Sequence, residues 1–470
     1  MPVSPTYRPS RAHMDLGSVF YDPVAPADFP QTLLRYRNDR AAATVGLDTL
    51  TDEEWRAHFG RFIPLPDSLP QPLALRYHGH QFRVYNPDLG DGRGFLFAQM
   101  HDAVTGRLMD LGTKGSGTTP WSRGGDGRLT LKGGVREILA TEMLEALGVN
   151  TSRTLSVIET GERLARNDEP SPTRACVLVR LGHSHIRIGT FQRLAVLDER
   201  AAMDRLVAYV RDTYYPDLAP APGQSEAAAL FGAVCERVAT TGAQLMAAGF
   251  VHGVLNTDNI AITGESFDYG PWRFLPTYDQ SFTAAYFDHA GLYAYGRQPQ
   301  ALGWNLARLA ECLLPLGTLQ EFQVALESFA TTYQKQLNIQ YLRRLGLQHQ
   351  PDADVPEIAT PITEFLSRAR VGFENFFFDW YGGANSTQRA MNGPRASFYD
   401  RADFAPVRAL FDAFAGRQPT QAYFERHDPV TMLIDQVEAL WSPIAESDDW
   451  GPFHATLGNI AGLRAVYGVP

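Results

Sequence analysis

Residues 252–270 read HGVLNTDNIAITGESFDYG, and the side chains in this stretch could handle a phosphate ester. Asn259 and Asp268, nine residues apart, offer oxygen ligands for a hard divalent cation such as Mg²⁺ or Mn²⁺. Moving part of a nucleotide requires charge neutralisation, in-line positioning and at most one proton acceptor. A structural turn with exposed carboxylates is the plain alternative for the same residues.

The layout follows the catalytic loop, small hairpin and metal-binding Asp-aromatic-Gly of protein kinases and their relatives. One position breaks the match. In loops of the H-R-D-x-x-x-x-N type the base stands five residues before the metal-binding Asn; here that residue is Val254, which cannot accept a proton. An Asp stands instead beside the Asn, as Asp258. The segment reads as kinase machinery adapted to different chemistry.

Further candidates lie upstream. Only three of the 42 basic residues are lysines (Lys114, Lys132 and Lys335), so a Lys invites the question of whether a compact ammonium is required. Lys114 ends an expected strand, and Glu137 falls in the first turns of the next helix. A strand Lys clamped by a helix Glu and reaching a phosphate is the kinase arrangement. Glu142 is an alternative partner, but five residues on it lies about 140° further round the helix. Gly90-Asp91-Gly92-Arg93 lies between two strands, where glycines permit close backbone approach to an anion. A second Gly-Asp-Gly-Arg runs from Gly125 to Arg128. Arg180 and Arg187 flank a turn and carry forks suited to a phosphate chain. The H-x-H pairs, His78/His80 and His183/His185, lack a third ligand and are expected to make structural hydrogen bonds rather than hold zinc.

These residues need a frame. At 470 residues the chain exceeds one typical domain. A net charge of −10 argues against an extended nucleic-acid footprint. The cysteines, Cys176, Cys235 and Cys312, are far apart, which disfavours a disulfide framework and fits a reducing cytosol. The N-terminal residues lack an apolar signal-peptide core and no stretch approaches 18 uninterrupted apolar residues, so a cytoplasmic protein without a membrane span is expected.

Residues 82–85, GFLFAQM, RLMDLGTK, TLSVIET and ACVLVRL read as strands separated by Gly-containing turns, the order of an antiparallel N-terminal lobe. Helices are expected at 51–62 with a cap at Thr51, then at 134–147, 198–213, 225–248, 299–314 and 319–344. The predicted class is α+β: a bilobal protein-kinase-like fold with a β-rich N-terminal lobe, a helical C-terminal lobe and a C-terminal helical extension. The expected parts are an N-terminal extension over 1–70, the β-rich lobe over 71–193, the helical lobe over 194–380 and the extension over 381–470.

Taken together, GHQF, LGDGR, LGTKGSGTTPWSRGGDGR, REILATEM, RLGHSHIRIGTF, HGVLNTDN, FDYGP and YDQSF…GLYAYGRQP…WNLARLA resemble the selenoprotein O family, pseudokinase-fold enzymes that transfer AMP to protein hydroxyls. The matching runs span about residues 75–311 in family order. The resemblance implies ATP as substrate, bound flipped relative to kinases, with the α-phosphate presented to a Ser, Thr or Tyr of an acceptor protein. It implies that Lys114 and Arg93 bind the phosphate chain and that Gly90, Gly92, Asp126 and Gly127 shape the nucleotide site. It makes Arg180 and Arg187 added cations, Glu137 the orienter of Lys114, Asp258 the proton acceptor, and Asn259 and Asp268 the ligands of Mg²⁺ or Mn²⁺. A monomer without nucleic-acid or membrane partners is expected. The family's C-terminal cysteine or selenocysteine motif has no counterpart, because Cys312 is the last cysteine. Arg83 replaces the usual small residue after HQF, and His78 the alanine often found before GHQ.

Two other functions fit parts of the pattern. A γ-phosphotransferase of the small-molecule kinase type would share the H-G and downstream Asn, but Val254 counts against it. A catalytically silent nucleotide-binding scaffold would not need Lys114, Asn259 and Asp268 together.

Overall fold

The computed structural model describes residues 4–349 and 354–468. Its N-terminal half is built on strands β1 Pro9–Ser10, β2 Tyr21–Pro23, β3 Leu33–Arg37, β4 Leu73–Leu75, β5 Gly79–Gln81, β6 Val84–Asn86, β7 Leu96–His101, β8 Leu108–Lys114, β9 Leu129–Thr130, β10 Arg153–Leu164 and β11 Thr173–Gly182. Nine of them form one antiparallel sheet in the order β2-β4-β7-β8-β11-β10-β3, with β1 on β7 and β9 on β11. β5 and β6 stand apart as a two-stranded hairpin. The stretch 82–85 is therefore the turn and return strand of this hairpin, and the sheet position expected for it belongs to β4, which pairs with β7.

The central strands are buried on both faces, and every residue of β8 is buried. Helix α1 Asp39–Ala43 follows β3, and α2 Asp52–Phe59 packs Trp55 and Phe59 against Phe97, Val177 and Val179 on one face. α2 starts where its capping chemistry dictates: Thr51 accepts from Glu54 N, and the Glu54 side chain accepts from Thr51 N. Truncating a buried Trp or Phe of this kind costs roughly 3–5 kcal/mol. On the other face α3 Leu131–Ala146 sets Val135, Ile138 and Leu139 against Val157, Cys176 and Leu178. Two covered faces explain why ACVLVRL lacks the polar alternation of a half-exposed strand.

Helix α3 begins three residues earlier than its apolar spacing suggests, because Gly133 and Gly134 are helical, with Thr130 capping Gly133 N. A Cβ on Gly134 would sit 2.7 Å from Cys176 Sγ, so the glycine permits close approach of helix and sheet.

The second half is helical: α4 Ile188–Val196, α5 Arg200–Tyr214, α6 Glu226–Ala247, α7 Gln298–Leu313, α8 Leu319–Arg344, α9 Ala359–Ala369 and α10 Phe373–Asp379. A short ribbon of β12 Phe250–Val251 and β13 Arg273–Phe274 interrupts them. α4 was not expected; it starts directly after the turn between Arg180 and Arg187, and its N-cap residue Arg187 offers no side-chain oxygen, so the only side-chain cap is Thr190 Oγ1 accepting from Arg187 N. The chain ends in α11 Thr387–Met391, α12 Ala396–Tyr399, α13 Ala405–Ala413, α14 Ile434–Ser447 and α15 Gly451–Tyr467. The last two return to α3, where Phe453, Ile460 and Leu463 join its core. No helix among the described residues is long and apolar enough to cross a membrane.

Candidate active site

Helix α6 ends at Ala247, and Gly249, with φ of +64°, turns the chain into β12. The β12–β13 ribbon closes a loop over 252–272, and side chains from several directions fix it. A ring nitrogen of His252 lies 2.9 Å from Phe267 O. Asn305 Nδ2 donates to Leu255 O at 2.7 Å, and Asn259 Nδ2 to Val254 O at 2.8 Å. The apolar run 260–262 does not fold back on itself as a hairpin. Ala261 bridges Arg187, and Ser266 bridges Thr151. The loop is thus stitched to the end of β11's connection and to the start of β10.

The β5–β6 hairpin rests on the same loop. His80 N donates to Thr257 Oγ1 at 2.7 Å and Phe82 N to Asn256 Oδ1 at 3.1 Å. Gln81 Nε2 reaches Asp258 Oδ2 at 3.4 Å. Asp258 is 6% exposed, and its Oδ1 is buried without a hydrogen-bond partner. Burial pushes its carboxyl from the usual 3.8 up to about 6, against the nearby Arg187 cation and with help from Asp268.

Lys114, at the end of β8, places Nζ 2.6 Å from Glu137 Oε2 on α3 and 2.7 Å from Asp268 Oδ1. Glu142 faces away, toward Tyr36, Asn38 and Arg464. Arg180 extends from β11 with Nη1 at 3.6 Å from Asp268 and 3.8 Å from Glu137, too long for hydrogen bonds. Burial opposes ionisation of Asp268, but Lys114, Arg180 and Arg93 outweigh it and hold that carboxyl well below the usual range. Asp268 has φ +62°, a left-handed backbone uncommon outside glycine. Two neighbouring carboxyls are thereby driven apart, one toward neutral pH and one fully ionised. Such a split separates proton acceptor from charge-binding ligand.

Arg187 is 4% exposed, stacks 4.3 Å over Tyr77, and donates to Asp258 O at 2.9 Å and Asp91 Oδ1 at 3.2 Å. Asp91 in turn accepts from Leu75 N, so it pins the Gly90–Arg93 turn to β4. A Cβ on Gly90 would meet the Trp121 ring at 2.4 Å, which explains the glycine by packing. Gly127 has φ +68° and lies against Gly117, while Asp126 is held by Arg166 at 2.7 Å.

These elements enclose a cavity of about 540 Å³. Gly90, Gly92, Arg93, Lys114, Asp126, Gly127, Arg180, Arg187, Asp258, Asn259 and Asp268 all border it, and Glu137 lies behind Lys114. Sequence reasoning did not single out Asp91, Trp121, Gln81 or Arg166, which also line it. Asp91 was legible in the Gly-Asp-Gly-Arg turn, Gln81 in GHQF and Trp121 in GSGTTPWSRGGDGR; Arg166 carries no local signal. The histidine pairs do structural work. Arg180 Nε donates to His185 Nε2 at 3.3 Å, leaving the proton on Nδ1, which lies 3.3 Å from Asp110 Oδ2. A ring nitrogen of His78 meets the Tyr85 hydroxyl at 2.6 Å. The described residues contain no group of three or more His, Cys, Asp or Glu arranged for a metal.

A β8 lysine clamped by a helix glutamate, facing an Asn and an Asp-Tyr-Gly between an antiparallel sheet and a helical half, defines a kinase-like, phosphate-handling enzyme. Residues 5–461 match the family model described as protein adenylyltransferase SelO, and the chain belongs to that family. It is 43% identical to a protein nucleotidyltransferase YdiU of Gloeobacter violaceus, covering 98% of this chain and 96% of that one. Against the protein of the same name from a Synechocystis strain it is 44% identical, covering 96% of each. Among solved structures it is similar to ROP2 of Toxoplasma gondii, titled a virulence factor with a protein-kinase fold and no enzymatic activity. That match has 10% identity, covers 73% of this chain and 84% of that one, and its TM-score of 0.25 is too low to support any inference. By family membership the chain is a protein adenylyltransferase with ATP as substrate.

Proposed function

We propose that this enzyme transfers AMP from ATP to Ser, Thr or Tyr hydroxyls of acceptor proteins by direct attack on the α-phosphorus. The observation that carries this reading is a set of orphaned polar atoms around one cavity. Arg180 Nη1, no nearer than 3.6 Å to a carboxylate, and Arg187 Nε are buried donors without a hydrogen-bond partner, and Asp258 Oδ1 is a buried acceptor without one. Buried groups of this kind call for a ligand that completes them. A triphosphate tail supplies acceptors for the two guanidinium groups, for Lys114 and for Arg93, while an incoming hydroxyl supplies the donor for Asp258.

In that arrangement the acceptor oxygen bonds to the α-phosphorus and the bond to the bridging oxygen of the β-phosphate breaks. The electron pair leaves with pyrophosphate, and the hydroxyl proton passes to Asp258. Val254 at the usual base position is consistent with a reacting phosphorus displaced toward Asp258. Asn259 and Asp268 are suited to a divalent cation: Asp268 is ionised, and the Asn259 amide spends its N–H on Val254 O, keeping its oxygen as a ligand. Mg²⁺ or Mn²⁺ held there would neutralise charge on the phosphates. Gly90, Gly92, Asp126 and Gly127 shape the nucleotide site, and Glu137 orients Lys114.

The same reading places a monomeric enzyme in the cytoplasm, in keeping with three buried, unpaired cysteines. ATP labelled at the α- or the γ-phosphate tests the chemistry. Acceptor protein should take up α-label only; γ-label alone would make the enzyme a phosphotransferase, and no label with either metal would make it a scaffold.

A further inference from the structure

The β5–β6 hairpin turns on two residues, Phe82 and Arg83, with φ of +50° and +64°. Gln81 pairs with Val84, so this is a two-residue turn with both central residues left-handed, the geometry for which Asn-Gly is strongly preferred. A Phe-Arg turn is strained, and such strain persists only where the surroundings enforce it. Here they do: Phe82 N is held by Asn256, and the Phe82 ring lies 5.1 Å from Tyr293 and 5.8 Å from Phe287.

The strained turn projects side chains that have little to do inside the protein. Val84 is 70% exposed, and Arg83 is exposed with its guanidinium 5.5 Å over the Trp304 ring and no ion pair among the described residues. Beside Phe287, Tyr286 is 82% exposed, its ring 5.1 Å from that of Phe287. Val84, two residues from Phe82, and Tyr286, beside Phe287, are joined through the Phe82–Phe287 ring contact, so their exposure is not scattered. The ridge is continuous with the reaction centre, because Gln81, the residue before the turn, reaches Asp258.

We infer that this ridge docks the acceptor polypeptide, seating an apolar side chain close in sequence to the acceptor hydroxyl against Val84 and Tyr286, and a carboxylate against Arg83. The inference rests on the transfer reaction proposed above, which requires an acceptor to approach Asp258. It names what that acceptor must present.

The test uses the full chain, α-labelled ATP and a peptide library with a central Ser, Thr or Tyr and all other positions randomised. The expected result is label in peptides enriched for apolar and acidic residues near the hydroxyl. For a peptide made to that consensus, Val84→Ser with Tyr286→Ser should raise KM on the order of tenfold, leaving kcat and ATP affinity unchanged. Arg83→Glu should shift the preference from acidic to basic residues. Equal ATP-induced shifts in Tm would show that the variants fold. Labelling without residue preference, a preference that survives these substitutions, or label confined to intact proteins would each overturn the docking surface alone. So would a wild-type dimer that the double variant converts to monomer with peptide kinetics unchanged, since the ridge would then serve self-association. Absence of α-label from every acceptor would instead remove the proposed transfer reaction itself.

Discussion

Arg187 Nη1 donates to the backbone oxygen of Asp258 at 2.9 Å, so a buried cation fixes the main chain of the residue whose carboxyl is held near neutrality. The same guanidinium binds Asp91 and stacks on Tyr77. Replacing it with Lys removes the planar fork needed for both bonds. Arg187→Lys should raise KM for ATP and lower kcat together, by about tenfold or more, the loss of one charge-assisted bond costing about 1.5–3 kcal/mol. Steady-state kinetics with ATP varied would show it, and a variant with wild-type kcat would mean that Asp258 needs no such support.

Asp258→Asn should cut turnover by on the order of 10²–10⁴-fold while leaving ATP binding intact. It should also stabilise the protein. The folded-state carboxyl is raised from 3.8 to about 6, so its ionisation costs stability as pH rises through that window. Above pH 6 the Asn variant should be more stable by on the order of 1–3 kcal/mol, and below about pH 4 the gain should vanish. Denaturant melts at two pH values decide this; an unchanged or lower midpoint at pH 7 would count against the buried, strained carboxylate.

The pH profile of kcat/KM, which reports the free enzyme, follows from the same group. A base must be deprotonated to act, so log kcat/KM should climb with unit slope below about pH 6 and flatten above it. Asp258→Asn should erase that limb. The strongly depressed Asp268 should leave no inflection above about pH 4.

Asp268→Ala should abolish transfer and the metal dependence of ATP binding, and it removes one of the two carboxylates on Lys114. Calorimetry of ATP with and without Mn²⁺ separates it from Asp258→Asn, which should keep the metal effect. Equal loss of binding in both variants would mean the two roles are assigned to the wrong residues.

The C-terminal helices reach the site through α3. Arg464 of α15 pairs through Nη2 with Glu142 Oε2, and the same nitrogen lies 3.3 Å from Glu145 Oε2. Arg464→Met would leave Glu142 with Arg40, 3.9 Å away, as its remaining cation, while Glu145 keeps Arg40 and Arg153, so the fold should lose about 1–3 kcal/mol. Because α3 carries Glu137, transfer should fall as well. Normal kcat in a destabilised variant would show that α15 supports the fold without steering the site.

Much of this was legible in the chain. β7, β8, β10 and β11, the cap at Thr51 and the four helices α5–α8 lie where apolar spacing and turn residues put them. The candidate ligands converge because residues such as Lys114, Asn259 and Asp268 owe their position to kinase-type order along the chain. Long-range pairing was not legible. Nothing local says that β4 rather than 82–85 joins β7, or that Ala261 bridges Arg187 instead of folding into a hairpin. Arg464 and Glu142 are 322 residues apart, and a lone arginine in a helix does not name its partner.

The hydrogen bonds from His80 and Phe82 to Thr257 and Asn256 tie the two halves together right beside Asp258. Kinase-style breathing about a remote hinge would have to tear this seam. Nucleotide should therefore come and go past a floor that stays closed beneath Asp258 from one turnover to the next.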